Sequence, residues 1–461
     1  MSILSLAAEA RYLWKNCDKS SAELQEKSLA RFRRAAAFAW RYCPYYRRRW
    51  TEAGITKAAL KSIRPEELPV ITKQEVREHF SEIVTVPYHM EQVNGTEQPV
   101  PDGKLAVAAH TSGSTGRPCT FFYSTQLITA EEANFVRLSN IGGSHPVHWS
   151  DLPIKSLYIA SVGSGYSSSL LYSGGLRRYH AESVVVDARQ PLQEWKKTIG
   201  TFQPNFLSGY PSCIRLAAEL QKQGDISIHP LKIICGGEPV SAVQMRELSE
   251  IFQADVIDYY SMTETLLVGS GFSWCSGMYL FDDLNYTETD AEGHLIVTPF
   301  YNPAMPLIRY RTNDILEGFR QGELPASKTG IEKNGERLLP FSHMDRVAGR
   351  DEDLLWFSRA DGSRDFLHPL FLDDLAAAGL LQYQFVQQDE GHFIIRCVTA
   401  PGTAPAEMEA EVRAQVDQML AKKRLSHLVY QIEFPERLYP DAKSGKVPLC
   451  VHGSETGSKI T

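Results

Sequence analysis

Apolar residues return at helical spacing early in the chain: Leu24, Leu29, Phe32 and Ala36 share one face of the stretch from Ser21 to about Trp50. A helix is expected there. Its basic residues, Arg41 and Arg47 to Arg49, collect toward the carboxyl end, where cations offset the macrodipole. After the apolar run Leu68-Pro69-Val70-Ile71, Thr72 and Glu75 have the spacing of a capping box opening another helix. From about residue 104 to residue 300 the pattern alternates between strand-like and helix-like segments. Ser183 to Asp187 and Leu231 to Cys235 are short apolar runs ending in turn residues, the pattern of buried parallel strands. Ser241 to Gln244 read as the cap of an amphipathic helix reaching Phe252, and His294 to Thr298 as a further strand. This alternation predicts an α/β fold of helix-covered sheets.

The character changes after Gly349. Residues 392–398 read as a strand, and Pro405 to Arg424 as a helix with Met408, Val412, Val416 and Met419 on one face. Tyr430, Ile432 and Phe434 alternate with polar residues, a strand pattern. Such a segment has the size of a separate small α+β domain.

Composition narrows the function classes. With 461 residues, 43% hydrophobic and 22% charged, the chain is an ordinary globular one with room for more than one domain. A net charge of −7 lacks the basic excess of a nucleic-acid surface. No apolar run approaches 18 residues, so membrane insertion is not expected, and the opening MSILSLAAEA lacks the basic flank of a signal peptide. The eight cysteines are scattered without CxxC spacing, which points to reduced thiols in a cytoplasmic protein with neither disulfides nor zinc.

Candidate chemistry begins at His110-Thr111-Ser112-Gly113-Ser114-Thr115-Gly116-Arg117-Pro118. Small hydroxylated and glycine residues at this density let backbone N–H groups and hydroxyls close around phosphate oxygens. The Walker A spacing and its lysine are missing, and such a loop on its own is more often a flexible turn. It is followed in order by Cys235-Gly236-Gly237-Glu238-Pro239, Tyr260-Ser261-Met262-Thr263-Glu264, Tyr310-Arg311-Thr312-Asn313-Asp314, Gly349-Arg350-Asp351-Glu352-Asp353 and Ser444-Gly445-Lys446. Taken in order, these segments resemble the core motifs of the adenylate-forming (acyl-CoA synthetase, AMP-dependent ligase) superfamily. Tyr42 to Arg47, Ala53-Gly54-Ile55 and Leu68 to Lys73 are similar to its phenylacetate–CoA ligase branch, which includes CapK-like members.

The resemblance implies a large amino-terminal domain over residues 1–348, a hinge at 349–353 with Glu352 and Asp353, and a small mobile carboxyl-terminal domain over 354–461. It further implies ATP-dependent activation of a small carboxylic acid as acyl-AMP, followed by transfer to a thiol. Thr111 to Gly116 would cradle the β- and γ-phosphates. Gly237, Glu238 and Pro239 would border the adenine, with Tyr260 stacked on it. Thr263 would bond the α-phosphate, Glu264 would hold Mg²⁺, Asp314 would accept the ribose hydroxyls, and Arg350 would reach ribose or phosphate. Lys446 would bridge carboxylate and α-phosphate, offsetting the repulsion between two anions. Each of these side chains also has a structural alternative: Tyr260 as core, Glu264 as a surface carboxylate, Asp314 as a turn former, Lys446 as a solvated loop lysine.

Departures from the family pattern bear on substrate and acceptor. Ser261 and Asn313 stand where glycine is usual, and Glu352 where aspartate is usual. The stretch from Ser358 to Pro369, with Arg359 and Arg364, replaces a glycine-rich loop. Coenzyme A is the expected acceptor, and the alternatives are an acyl carrier protein's phosphopantetheine, met by Arg47 to Arg49, or an amine. A degenerate nucleotide-binding module is the non-enzymatic alternative, opposed by the retained Glu264, Asp314 and Lys446. By the same resemblance the acyl pocket takes in Tyr158, Tyr166, Tyr210 and Gly236, walls that suit an aromatic acid. No pattern distinguishes a monomer from a homodimer.

Overall fold

Proline sets the carboxyl-terminal limit of the longest amino-terminal helix. The computed structural model describes residues 3–89, 105–110, 119–141, 143–160, 181–187, 190, 192–322, 339–350, 355–358, 364–367, 375, 377–422, 425–439 and 447–452. Its first helices are α1 (Ile3–Asn16), α2 (Ser21–Tyr42) and α3 (Pro44–Glu52), so the single helix expected from Ser21 to Trp50 is in fact two. Pro44 has no N–H to donate and disfavours helical backbone at Cys43, which sits at φ −110° and ψ 109°. The same proline then starts α3, where its missing donor costs nothing. The capping box is present: Thr72 Oγ1 accepts from the Glu75 N–H at 3.4 Å, and Glu75 Oε2 accepts from the Thr72 N–H at 2.8 Å. It opens α4 (Lys73–Glu78). Arg49 pairs with Glu75 and Arg48 with Glu82, so these two cations serve the packing of the amino-terminal helices.

The chain forms two compact units. The larger holds Met1–Glu238, Ala242–Thr312 and Leu316–Arg346; the smaller holds Pro239–Ser241, Asn313–Ile315 and Val347–Thr461.

In the larger unit β1 (Leu105–His110) pairs antiparallel with β2 (Thr120–Ser124), and helix α5 (Thr125–Leu138) follows. Next come β3 (Ile154–Ala160), β4 (Ala181–Asp187), β5 (Phe206–Gly209), β6 (Lys232–Gly236), β7 (Asp255–Met262), β8 (Leu266–Phe272) and β9 (Met278–Leu280). After them lie β10 (Asn285–Thr289), β11 (His294–Pro299), β12 (Tyr310–Glu317) and β13 (Ser342–Met344). The main sheet has eight strands in the order β13-β9-β8-β7-β6-β5-β3-β4. Its segment from β4 to β7 is parallel, as expected from the apolar runs at 183–187 and 231–235; the first of these, however, is the sheet's edge strand, and only its Val186 is buried. Helices α6 (Leu192–Phe202), α7 (Pro211–Lys222) and α8 (Ala242–Phe252) connect these strands. A Cβ on Gly209 would lie 2.3 Å from the Ile159 carbonyl oxygen, so β5 approaches β3 this closely only through glycine. The strand expected at His294–Thr298 is β11, antiparallel to β10.

The smaller unit carries β14 (Arg346–Arg350) from Val347 onward, then the antiparallel pair β15 (Leu355–Ser358) and β16 (Arg364–Leu367). A four-stranded sheet follows: β17 (Leu380–Gln387), β18 (His392–Thr399), β19 (Val429–Glu433) and β20 (Cys450–His452), ordered β19-β18-β17-β20. Helix α9 (Pro405–Lys422) buries Met408, Val412, Val416 and Leu420 in one core with Phe385, Phe393 and Ile395. The helix and strand periods written into 392–434 thus meet in a single apolar core. No helix among the described residues is long and apolar enough to cross a membrane.

A buried ion pair fastens α1 to the core of the larger unit. Arg137 Nη1 lies 2.6 Å from Asp283 Oδ2, with 0% and 2% of the two side chains exposed. Arg137 also donates to the Leu13 carbonyl at 3.2 Å and the Asn134 side-chain oxygen at 2.7 Å, while Asn16 donates to Asp283 at 2.8 Å. The guanidinium stacks over Phe281 and Phe341. Asp283→Ala strands a buried guanidinium, and we expect a loss of about 3–5 kcal/mol, read as a lower urea midpoint. The double variant Arg137→Met/Asp283→Leu should regain part of that loss, because an apolar pair pays no charge desolvation.

Candidate active site

Parallel strands present their carboxyl ends along one edge of the main sheet, the usual position of a ligand site in an open α/β sheet. Gly209 of β5 is level with Cys235 of β6, and Gly236 with Tyr259 of β7. The segments Tyr210, Gly236-Gly237-Glu238 and Tyr260 therefore emerge side by side. Tyr158 lies two residues short of the end of β3, paired with Ser208, and is buried. Tyr210 is also buried, immediately before Pro211, the first residue of α7.

Past Gly236 the chain turns through Gly237 at φ +80°, a backbone state that glycine adopts without strain. The turn aims Glu238 at the amino end of α7. Its carboxylate accepts the Ser212 N–H at 3.0 Å and the Ser212 hydroxyl at 3.1 Å, where unpaired helix N–H groups favour an anion. Glu238 is therefore fixed, half-buried, beside the Gly236-Gly237 turn.

The third segment is held from two sides. The β7–β8 ladder shifts register between Tyr260 and Ser261, and the chain then turns through residues 263–265 into Leu266 at φ +62°. A leucine in the left-handed region stores strain, which persists only where the surroundings fix it. Here the hydroxyl of buried Tyr123, on β2, donates to the Thr263 carbonyl at 2.5 Å. The hydroxyl of buried Tyr310, on β12, donates to Glu264 Oε1 at 3.1 Å. Glu264 also acts on Cys119, the residue following the hydroxyl-rich segment. Burial, with the Glu264 charge as the next cause, pushes that thiol up to about 11, while Lys73 and Arg77 of α4 oppose the shift. One acidic and two basic side chains thus gather where the segment 111–118 rejoins the described chain.

In the smaller unit, Pro239 is exposed and Asp314, within β12, is buried. Arg350 ends β14. Thr111, Ser112, Gly113, Ser114, Thr115, Gly116, Tyr166, Glu352, Asp353 and Lys446 lie outside the described residues.

Several contributions leave no motif in the sequence. Tyr123 and Ser212 look like ordinary core or helix residues, and Tyr310, though it opens the Tyr310–Asp314 motif, gains its role only from its bond to Glu264. Lys73 and Arg77 are legible as helix residues, but their direction toward Cys119 is a tertiary fact. The cysteines flanking the site are held as thiols: burial pushes Cys213 up to about 12 and Cys235 well above the usual range. All eight cysteines are free.

A model of the AMP-binding enzyme family matches residues 50–289, just over half of the chain. Phenylacetate-coenzyme A ligase of Escherichia coli (strain K12) is 28% identical over 366 residues, covering 72% of each chain. Protein CapK of Staphylococcus aureus is 23% identical over 354 residues, 72% of this chain and 69% of CapK. Among solved structures, 2-hydroxyisobutyryl-CoA ligase in the postadenylation state shares the fold with a TM-score of 0.70 at 19% identity, over 95% of this chain and 91% of that one. This chain belongs to the AMP-binding enzyme family and is an adenylate-forming ligase of the phenylacetate–CoA ligase-like branch.

Proposed function

We propose that this chain uses ATP to activate a small aryl carboxylic acid as its acyl-AMP and passes the acyl group to coenzyme A. The observation that carries the proposal is the Thr263-Glu264 turn, pinned by Tyr123 and Tyr310 within electrostatic range of Cys119 at the end of the 111–118 segment. In the first half-reaction a carboxylate oxygen attacks the α-phosphorus, the bond to the β-phosphate breaks, and pyrophosphate leaves. In the second, the thiol sulfur attacks the acyl carbon and AMP departs with its oxygen.

The chain's own residues serve the first step by gathering charge. Thr111 to Gly116 cradle the β- and γ-phosphates, with Lys73 and Arg77 adding positive charge nearby. Thr263 bonds the α-phosphate. Tyr260 stacks on the adenine beside Gly237, Glu238 and Pro239, and Asp314 and Arg350 hold the ribose side. Lys446 bridges carboxylate and α-phosphate, so two anions approach without net repulsion. Glu264, with one oxygen engaged by Tyr310, is a hard oxygen donor that would hold Mg²⁺, whose charge neutralises phosphate oxygens. Residues 349–353, with Glu352 and Asp353, act as the hinge of the 354–461 domain. Tyr158, Tyr166 and Tyr210 with Gly236 line the acyl pocket, and the phenylacetate-named relatives support an aryl acid. Arg48 and Arg49 are engaged by Glu82 and Glu75, which favours free coenzyme A over an acidic carrier protein.

ATP–pyrophosphate exchange over aryl, short aliphatic and long-chain acids, with no thiol present, tests the first half-reaction. Exchange is expected to be fastest with an aryl acid; exchange with a long-chain acid alone, or with none, overturns the substrate assignment. Lys446→Ala should reduce exchange by about 10²–10³-fold while ATP still binds, because its charge acts mainly in the transition state. Glu264→Gln should lower exchange by roughly 10²-fold and move its Mg²⁺ dependence to higher concentration, checked by titrating the metal at fixed ATP.

A further inference from the structure

Glu131 is an ionisable residue that none of these steps uses, and it contacts Tyr259, the chain neighbour of Tyr260. It occupies α5 among the buried residues Leu127, Ile128, Ala130 and Asn134, with 8% of its surface exposed. The Tyr259 hydroxyl donates to it, and its carboxyl lies near enough to the Leu267 backbone for that dipole to oppose the rise in its pKa. Burial pushes the group up to about 8, with the neighbouring Glu132 adding to the shift, so at pH 7 it is mostly uncharged. The Tyr259 bond is then made without burying a full negative charge.

The two groups lie on different strands. Tyr259 is on β7, next to Tyr260 and level with Gly236, while Leu267 is on β8, one residue beyond Leu266 at φ +62°. Between them the ladder slips: Tyr260 is paired with Gly269 but Ser261 with Leu267. Val268 is the extra residue of a β-bulge, where strand-to-strand bonding is locally interrupted. A side chain from a third element lies beside the interruption.

We propose that Glu131 is a positioning residue for the nucleotide: by holding the Tyr259 hydroxyl beside the bulge, it fixes the placement of Tyr260 relative to the Thr263-Glu264 turn. The proposal rests on the assignment of Tyr260, Thr263 and Glu264 to ATP made above. Glutamine keeps an oxygen that accepts the Tyr259 bond, whereas leucine fills the volume and accepts none. Phenylalanine at 259 removes the Tyr259 hydroxyl alone.

The test compares Glu131→Gln, Glu131→Leu and Tyr259→Phe with the wild-type protein. The readouts are thermal unfolding, the ATP dissociation constant by calorimetry, and the KM values for ATP and for the acid in pyrophosphate exchange. Glu131→Leu, folded, is expected to weaken ATP binding and raise the ATP KM by about tenfold, with the acid KM changed less than about twofold. Tyr259→Phe should show roughly a fivefold effect of the same kind, and Glu131→Gln should stay within about twofold of wild type. A folded Glu131→Leu with wild-type ATP affinity overturns the proposal. So do equal rises in the two KM values, or a glutamine variant as impaired as the leucine one. If wild type binds ATP but exchanges with no acid, the substrate assignment alone fails and the calorimetric comparison still decides the role of Glu131. If wild type binds no ATP, both fall.

Discussion

The site depends on the in-register parallel ladder of β5, β6 and β7. Side chains alternate between sheet faces with a period of two, so a slip of one residue would exchange every inward side chain for an outward one. In the observed register Gly236 is opposite Tyr259, and a Cβ at 236 would already lie 3.2 Å from the Tyr259 carbonyl oxygen. One slip would set Cys235 there instead, redirecting both Tyr259 and Tyr260. Alignment of the strand ends is thus what turns three distant short segments into one edge.

Charge is handled differently at the edge and in the core. Where the sheet meets α7, Glu238 gains its partners from backbone and hydroxyl donors at a helix end. Deeper in the larger unit, Arg137 and Asp283 neutralise each other, and aromatic faces cover the guanidinium. At β12, Arg309 takes a left-handed backbone at φ +55° and pairs with Glu288, one residue before Tyr310 reaches Glu264. In each case a polar group is buried only where its partners are already fixed, which limits the desolvation cost.

Local rules made much of the fold legible. The Thr72-Glu75 box, the helix from Pro405 and the strand at 392–399 follow from capping and periodicity alone. The Ser21–Trp50 stretch misleads because its apolar period continues past Cys43, although Pro44 marks the break. Helix α1 escapes because its stabilisation is tertiary: Leu13 is buried in the same core cluster as Phe281 and Phe341. At the site, the ordered motifs reveal the strand ends and the Thr263-Glu264 turn. They do not reveal that Tyr123 and Tyr310 pin that turn: Tyr310 stands in a motif without showing its contact, and a Tyr123–carbonyl bond spanning 140 residues leaves no periodic trace. Glu131 is hidden for a related reason: a glutamate in an amphipathic helix is ordinarily assigned to the wet face.

The state of the cysteines has a consequence for side reactions. An acyl-adenylate is an electrophile that any exposed thiolate would intercept, forming a dead-end thioester on the enzyme itself. Cys213 and Cys235 flank the Glu238 turn, yet both are buried with their acidity suppressed. Nucleophilicity resides in the thiolate, so these sulfurs are chemically silent at neutral pH. The fold thereby protects its intermediate from self-acylation and reserves it for an incoming acceptor.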